Sequence, residues 1–353
     1  MPALRFLVAR QPGLVYRRNM TTVIQPDTPN IALLGHTRAG TPVHRVTLRS
    51  GALSAQVLTL GAALQDMRLA GIGHSLVLGW PSVQGYEDSQ AYLGVIVGRL
   101  ANRLGNGRYT LDGRTWRTDR NFLGRHTLHG GSQGIDRMVW EIVHATGNAV
   151  TLQVTLQDGH MGFGGDLTIT ATFQIEPDCA LAITLRARAR TVSLCNLTPH
   201  VYFNLDGTGD ITAHELTVMA NSYTPVDDAL IPTGEVAPVA GTPLDFRAPR
   251  PIGTTPLDHN FCLSDRRLPC RDIARLRGPH SGLEMVLQST EPGLQIYSGT
   301  FLNEPPFGPS AGVALEPQVW PDAPNHRHFP SVVLRQGEIY RHVTRYMFPG
   351  HAA

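Results

Sequence analysis

The chain has 353 residues, 42% hydrophobic and 16% charged, with a formal charge of +2 at pH 7. These values exclude a disordered chain and give no electrostatic case for nucleic acid or a membrane surface as partner. No apolar run approaches the roughly 20 residues that span a bilayer, and 36 Gly with 26 Pro suit many turns between short strands.

Residues 1–26 carry Arg5, Arg10, Arg17 and Arg18 and no acid before Asp27. They resemble a transit peptide slightly, but the apolar stretch Ala3–Ala9 is broken by Arg5 and is too short for a secretory core. The reading is a disordered or mis-started extension, with Met20 as an alternative start, followed by a single β-sandwich domain over 27–353. "HRVTLRSGALSAQVLTLGAALQDMRL" (44–69) predicts two or three strands punctuated by Ser50-Gly51 and Gly61. "AVTLQVTLQDG" (149–159) predicts another, ended by Asp158-Gly159. "DLTITATFQI" (166–175) puts Leu167, Ile169, Ala171, Phe173 and Ile175 on one face and threonines on the other, the period of a half-buried antiparallel strand. "EPDC" turns the chain, and "ALAITLRARA" (180–189) repeats the alternation, so the two form a hairpin. "NEPPFGPSAG" (303–312) reads as a loop, and "VVLRQGEIYRHVTRYMF" (332–348) as strand, Gly337 turn and strand. No long stretch has helical periodicity. The fold class is all-β: stacked antiparallel sheets with few short helices.

Cys179, Cys195, Cys262 and Cys270 lie far apart with no CxxC. Free thiols in a reducing, cytoplasmic compartment fit better than a disulfide framework or a zinc site. The histidines of "NHRHF" (325–329) with His342 lack an acidic or Cys ligand at a zinc spacing, so no metal is expected. No Gly-rich dinucleotide loop is present, and "HGGSQG" is not a P-loop, so no cofactor is expected either.

The residues that carry chemistry sit in short islands. They are "GRLANRLGNGRYTLDG" (98–113), "LHGGSQGIDRMVW" (128–140), "NLTPHVYFNLDG" (196–207), "LDHNF" (257–261), "PGLQIYSGTFLN" (292–303) and "GVALEPQVWPDAPNHRHFPSVVLRQGEIY" (312–340). Taken singly they are weak. His129 beside two glycines reads as a loop residue, His200 after Pro199 as a core histidine, and Asp258 as a turn cap. Arg103 reads as an ion-pair partner, and Glu316 in its apolar context as a structural ion pair or a functional acid.

In this order, over about residues 35 to 348, the islands resemble the aldose 1-epimerase (galactose mutarotase) family. The resemblance implies one large antiparallel β-sandwich that interconverts the α and β anomers of free aldoses such as galactose and glucose without a cofactor. It implies Glu316 of "ALEPQ" as general base and His200 of "TPHVYFN" as general acid. His129 of "LHGG" would contact the sugar near the ring oxygen and C1. Asn102, Arg103 and Asp258 would hold sugar hydroxyls, with Gln295 a minor contact. Ordinary pKa values of about 4.3 and 6.5 would leave Glu316 ionised at neutral pH, with His200 needing help to keep its proton. Tyr202, Phe203 and Trp320 are candidates for an aromatic wall under the sugar ring. Val201, Pro317 and Thr300 depart from residues common in relatives and bear on sugar preference. The alternatives are a non-catalytic carbohydrate-binding protein, a glycoside hydrolase using Asp258 and Glu316, and a hexose-phosphate mutarotase drawing on Arg125, Arg137 and Arg327. The expected partner is a small-molecule aldose, and the chain is read as a monomer or homodimer.

Overall fold

The computed structural model describes residues 28–351; the reading of an N-terminal extension therefore lies outside the described residues. Three sheets dominate. The first has four strands in sequence order, Asn30–His36, Pro42–Ser50, Leu53–Leu58 and Leu64–Leu69. The second has nine strands, with Leu167–Glu176, Ala180–Ala189 and Tyr340–Met347 adjacent near its middle. The third has six, running Tyr202–Phe203, Val313–Gln318, Gly293–Tyr297, Asp258–Cys262, Ser222–Thr224 and Ala237–Pro238. Every strand pair in the three sheets is antiparallel, and the longest helix among the described residues is the six-residue Val83–Asp88.

The alternation read from the sequence sets the layers. Leu167, Ile169, Ala171, Phe173 and Ile175 are fully buried, and their strand pairs with Ala180–Ala189 across the 176–179 turn as expected. This face packs against the first sheet, with its Val46, Leu48, Ala55 and Val57, and belongs to one continuous core that also holds Leu294, Ile296, Val313 and Leu315 of the third. Burying each such side chain contributes about 1.5–3 kcal/mol relative to leaving it exposed. One local detail differs from a simple hairpin. Val333–Leu334 pairs with Ser193–Leu194, whereas Tyr340–Met347 pairs with Ala180–Ala189 and Glu284–Ser289. The Gly337 turn therefore passes the chain from one sheet to another.

Within the six-stranded sheet, the inner strand Val313–Gln318 is buried on both faces. Because side chains alternate along a strand, Leu294 and Ile296 enter the core while Gln295 and Tyr297 face away from it. In the next strand Val313 and Leu315 enter the core and Glu316 faces away. The register sets Gln295 opposite Glu316 and Asn260 opposite Gln295, so polar side chains from three strands lie side by side on the face turned from the core.

Candidate active site

A cavity of about 400 Å³ opens over that face. Its floor is Glu316, Asp258, Tyr297 and Tyr202; its walls include Asn102, Arg103, His129, His200, Tyr92 and Phe122. Six of the seven residues singled out from the sequence thus line one space. The seventh, Gln295, lies behind it and donates from Nε2 to Asp258 Oδ1 at 2.5 Å. The size and mixed lining suit a small polar ligand.

Two islands are joined by a short ladder in which Arg103 pairs with Leu128. At the corner that follows, Asn102 and His129 both take positive φ, 61° and 51°. The Asn102 carbonyl accepts from the His129 N–H at 3.0 Å, and the Asn102 N–H donates to His129 Nδ1 at 3.1 Å. The glycine after His129 is required by space: a Cβ on Gly130 would lie 2.2 Å from the Gly98 carbonyl oxygen, and its φ is +88°. The rest of that island is structural. Trp140 Nε1 donates to the Ile135 carbonyl at 2.9 Å. Arg137 pairs with Asp136 at 3.1 Å and donates to the carbonyls of Tyr86, Glu87 and Ser89, closing the end of the short helix. The guanidinium also lies 5.9 Å from the Tyr92 ring. Burial pushes the Asp136 carboxyl up to about 6.

Arg103 donates to Asp258 Oδ2 at 3.0 Å and lies 4.8 Å from the Phe122 ring centroid. Both Asp258 oxygens therefore have a donor, one from Arg103 and one from Gln295. Asn102 Oδ1 accepts from the Arg103 N–H at 2.8 Å, which fixes the turn as well as lining the cavity.

His200 and Glu316 meet at the bottom. His200 Nε2 is 3.5 Å from Glu316 Oε1, and the residues are 4% and 2% exposed. His200 Nδ1 and Glu316 Oε2 have no hydrogen-bond partner. Unsatisfied groups this deep call for an explanation, and a reacting site supplies one. Here the structure corrects the expectation taken from ordinary pKa values. Burial opposes charge on both partners: it lowers His200 to about 4 and raises Glu316 well above the usual carboxylate range, the Asp258 charge adding to the latter. Both shifts favour the form in which the carboxyl, not the imidazole, carries the proton of the pair.

His129 lies edge-on to His200 with ring centroids 5.2 Å apart, and burial lowers its pKa far below normal. Donor atoms of His129, His200 and Glu316 fall within 4.8 Å of one another, a spacing a metal could use. The lone pair of His129 Nδ1 is already taken by the Asn102 N–H, so the neutral ring carries its proton on Nε2. A ring in that tautomer has no free lone pair for a metal and is a hydrogen-bond donor, so the cluster suits proton handling. The other histidines considered for metal are used elsewhere: His326 with Asp322, His328 with the Gly234 carbonyl, and His342 with Leu197 and Thr344.

The aromatic wall differs from the sequence reading. Tyr202 lines the cavity, but Phe203 points into the core, 4.9 Å from Tyr346. Trp320 belongs to a separate cluster and donates to the Pro292 carbonyl. Tyr92, Phe122 and Tyr297 stand in their place. The Tyr92 ring is 4.6 Å from His129 and 5.7 Å from His200. No periodicity or motif near Tyr92 marks it in the sequence. Glu304 was missed as well; it lines the cavity mouth and accepts from the Ser89 hydroxyl and the Gln90 N–H.

Residues 44–347 match the family model described as aldose 1-epimerase. The chain is 38% identical to galactose mutarotase of Rattus norvegicus over 328 residues, covering 88% of this chain and 95% of that one. It is 36% identical to aldose 1-epimerase of Escherichia coli over 335 residues, with 88% and 96% covered. The crystal structure of an aldose epimerase homologue from C. elegans superposes with a TM-score of 0.82 at 29% identity, covering 86% of this chain and 98% of that one. The chain belongs to the aldose 1-epimerase family and is an isomerase.

Proposed function

We propose that the protein interconverts the α and β anomers of free aldoses, galactose and glucose among them, with Glu316 as general base and His200 as general acid. The observation that carries this is the buried His200–Glu316 contact of 3.5 Å facing a sugar-sized cavity. A cyclic aldose is a hemiacetal. Opening it needs the C1 hydroxyl proton removed and a proton delivered to the ring oxygen. In the working tautomer Glu316 is ionised and His200 protonated. The carboxylate takes the C1 hydroxyl proton, the C1–O5 bond breaks, and the imidazolium protonates O5. The aldehyde turns about C1–C2, and on reclosure the roles reverse: Glu316 gives its proton to O1 and His200 takes its own back from O5. No electron carrier is needed. His129, donating from Nε2, stabilises charge developing on the sugar oxygens, and Arg103, Asp258 and Asn102 hold hydroxyls. Gln295 acts through Asp258.

Galactose is named for the mammalian relatives, which supports it as a substrate here. A phosphorylated hexose is less well supported, because Arg103 is the one Lys or Arg among the described cavity residues and is paired with Asp258. Arg137 is spent on helix carbonyls, Arg125 binds Asn106, and Arg327 is exposed away from the cavity. Four free cysteines, three of them buried, support a cytoplasmic setting, and action as a monomer or homodimer belongs to the same reading. Polarimetry of freshly dissolved α-galactose and α-glucose tests it. The enzyme speeds the change in rotation; Glu316→Gln and His200→Asn each lose about 10² to 10⁴ in rate while still binding sugar. Release of reducing sugar from a glycoside, or no acceleration at all, would reject it.

A further inference from the structure

The backbone ladder reaches only as far as the neighbours of His200 and Glu316. The Thr198–Pro199 strand pairs with Ile96–Val97, while Val313–Gln318 pairs with Tyr202–Phe203 on one side and Gly293–Tyr297 on the other. Towards His200 the pairing lapses, ending in a long bond of 3.4 Å from the Leu315 N–H to the Val201 carbonyl. Two side chains take over where it ends. Thr198 Oγ1 donates to the Pro317 carbonyl at 2.7 Å. Asn196 Nδ2 donates to the Val319 carbonyl at 3.1 Å, and its Oδ1 accepts from the Val319 N–H at 2.9 Å. That amide reproduces both bonds of a β-bridge. The backbone of Asn196 faces the other way: its N–H donates to the Arg99 carbonyl and its carbonyl accepts from the Ala101 N–H, both at 2.8 Å. It thereby joins the stretch that leads into Asn102 and Arg103. Both side chains are fully enclosed, at 1% and 0% exposure. Apolar side chains there would leave the Pro317 carbonyl and both Val319 backbone groups without these partners, so the two polar side chains stand in for the missing ladder.

We infer that Thr198 and Asn196 are positioning residues that set the separation of His200 and Glu316, a role that rests on the acid–base reading above. Thr198 lies two residues before His200, and its acceptor Pro317 directly follows Glu316, so each bonded group is within two residues of a reacting one. Losing the hydroxyl frees the two segments to drift, and proton transfer is steeply sensitive to such drift.

The test is Thr198→Val beside Thr198→Ser, by polarimetry per folded molecule. A misplacement near 1 Å costs on the order of 10²-fold in rate, and part of that, at least about ten-fold in kcat with KM within about two-fold, is expected for Thr198→Val. The pH dependence of kcat should shift with it, since it reports the coupling of the pair. Thr198→Ser keeps the hydroxyl and should restore kcat. If Thr198→Val does not fold, Thr198→Ala serves with the same readouts. A folded variant lacking the hydroxyl but retaining wild-type kcat and pH profile would overturn the inference. So would Thr198→Ser as slow as Thr198→Val. His200→Asn and Glu316→Gln run in parallel separate the two failures: full activity in those sinks the acid–base reading, whereas their inactivity beside a fully active Thr198→Val sinks only the clamp.

Discussion

The protonation state of the His200–Glu316 pair dictates an unusual pH profile. With ordinary values, the working form would exist chiefly between about pH 4.3 and 6.5. The rate would then fall about ten-fold per unit above 6.5. In this site burial brings the imidazole down to about 4 and lifts the carboxyl well above its usual range. The His200 shift alone corresponds to about 3 kcal/mol against the charged ring. One proton then resides on the pair between the lowered imidazole and the raised carboxyl, and the working tautomer is a fixed fraction of that form. Moving the proton between partners exchanges nothing with bulk water, so kcat/KM should show its acid limb near pH 4, where the lowered imidazole takes up a second proton. Initial rates by polarimetry, with the spontaneous rotation change subtracted at each pH, measure this. A His200 ring that titrates at about pH 6.5 when followed by NMR would refute it, because it would mean that the folded site leaves the imidazole at its solution value.

Two further outcomes bear on the framework around the site. Arg137→Ala strips the donor from three carbonyls and leaves the buried Asp136 carboxyl unpaired; it should cost about 3 kcal/mol of stability in urea unfolding and raise KM by loosening the stretch that carries Tyr92, and an unchanged midpoint would refute the clamp. Leu315→Ala opens a void between the third and second sheets and should cost about 2–5 kcal/mol, while a loss below about 1 kcal/mol would contradict the inward facing of that residue.

How much was legible in the sequence follows from what is local. The 166–189 hairpin was readable because a period of two with a buried face leaves one register open to it, and the structure pairs Leu167 with Ala189 through to Glu176 with Ala180. The outward setting of Glu316 was legible too, since Val313 and Leu315 claim the opposite face. Parity also holds a lesson about Tyr202 and Phe203. Neighbours in a strand point to opposite sides, so both could not line one cavity, and Phe203 went to the core. Tyr92 and Phe122 could not be read because they stand on loops, Tyr92 at a φ of 57°, and their facing is set by contacts distant in sequence. The protonation of the pair was illegible for the same reason. A pKa is fixed by what encloses the group, and the enclosure comes from segments near 92, 102, 129 and 258 brought together only by folding.

The six-stranded sheet explains how the Glu316 carboxyl can be kept dry without unfolding the protein. Its strands present leucine, isoleucine and valine to the shared core and, on alternate residues, glutamate and aspartate to the cavity, with a glutamine behind them. Apolar burial on one face stabilises the backbone that carries the costly polar face on the other. A carboxyl on a surface loop would keep its solution pKa and a mobile geometry. Placed on an inner strand, Glu316 acquires a fixed direction from the ladder and a raised proton affinity from its surroundings. His200 comes from a different segment and needs its own tether, which is why polar side chains at 196 and 198 stand where the ladder gives out.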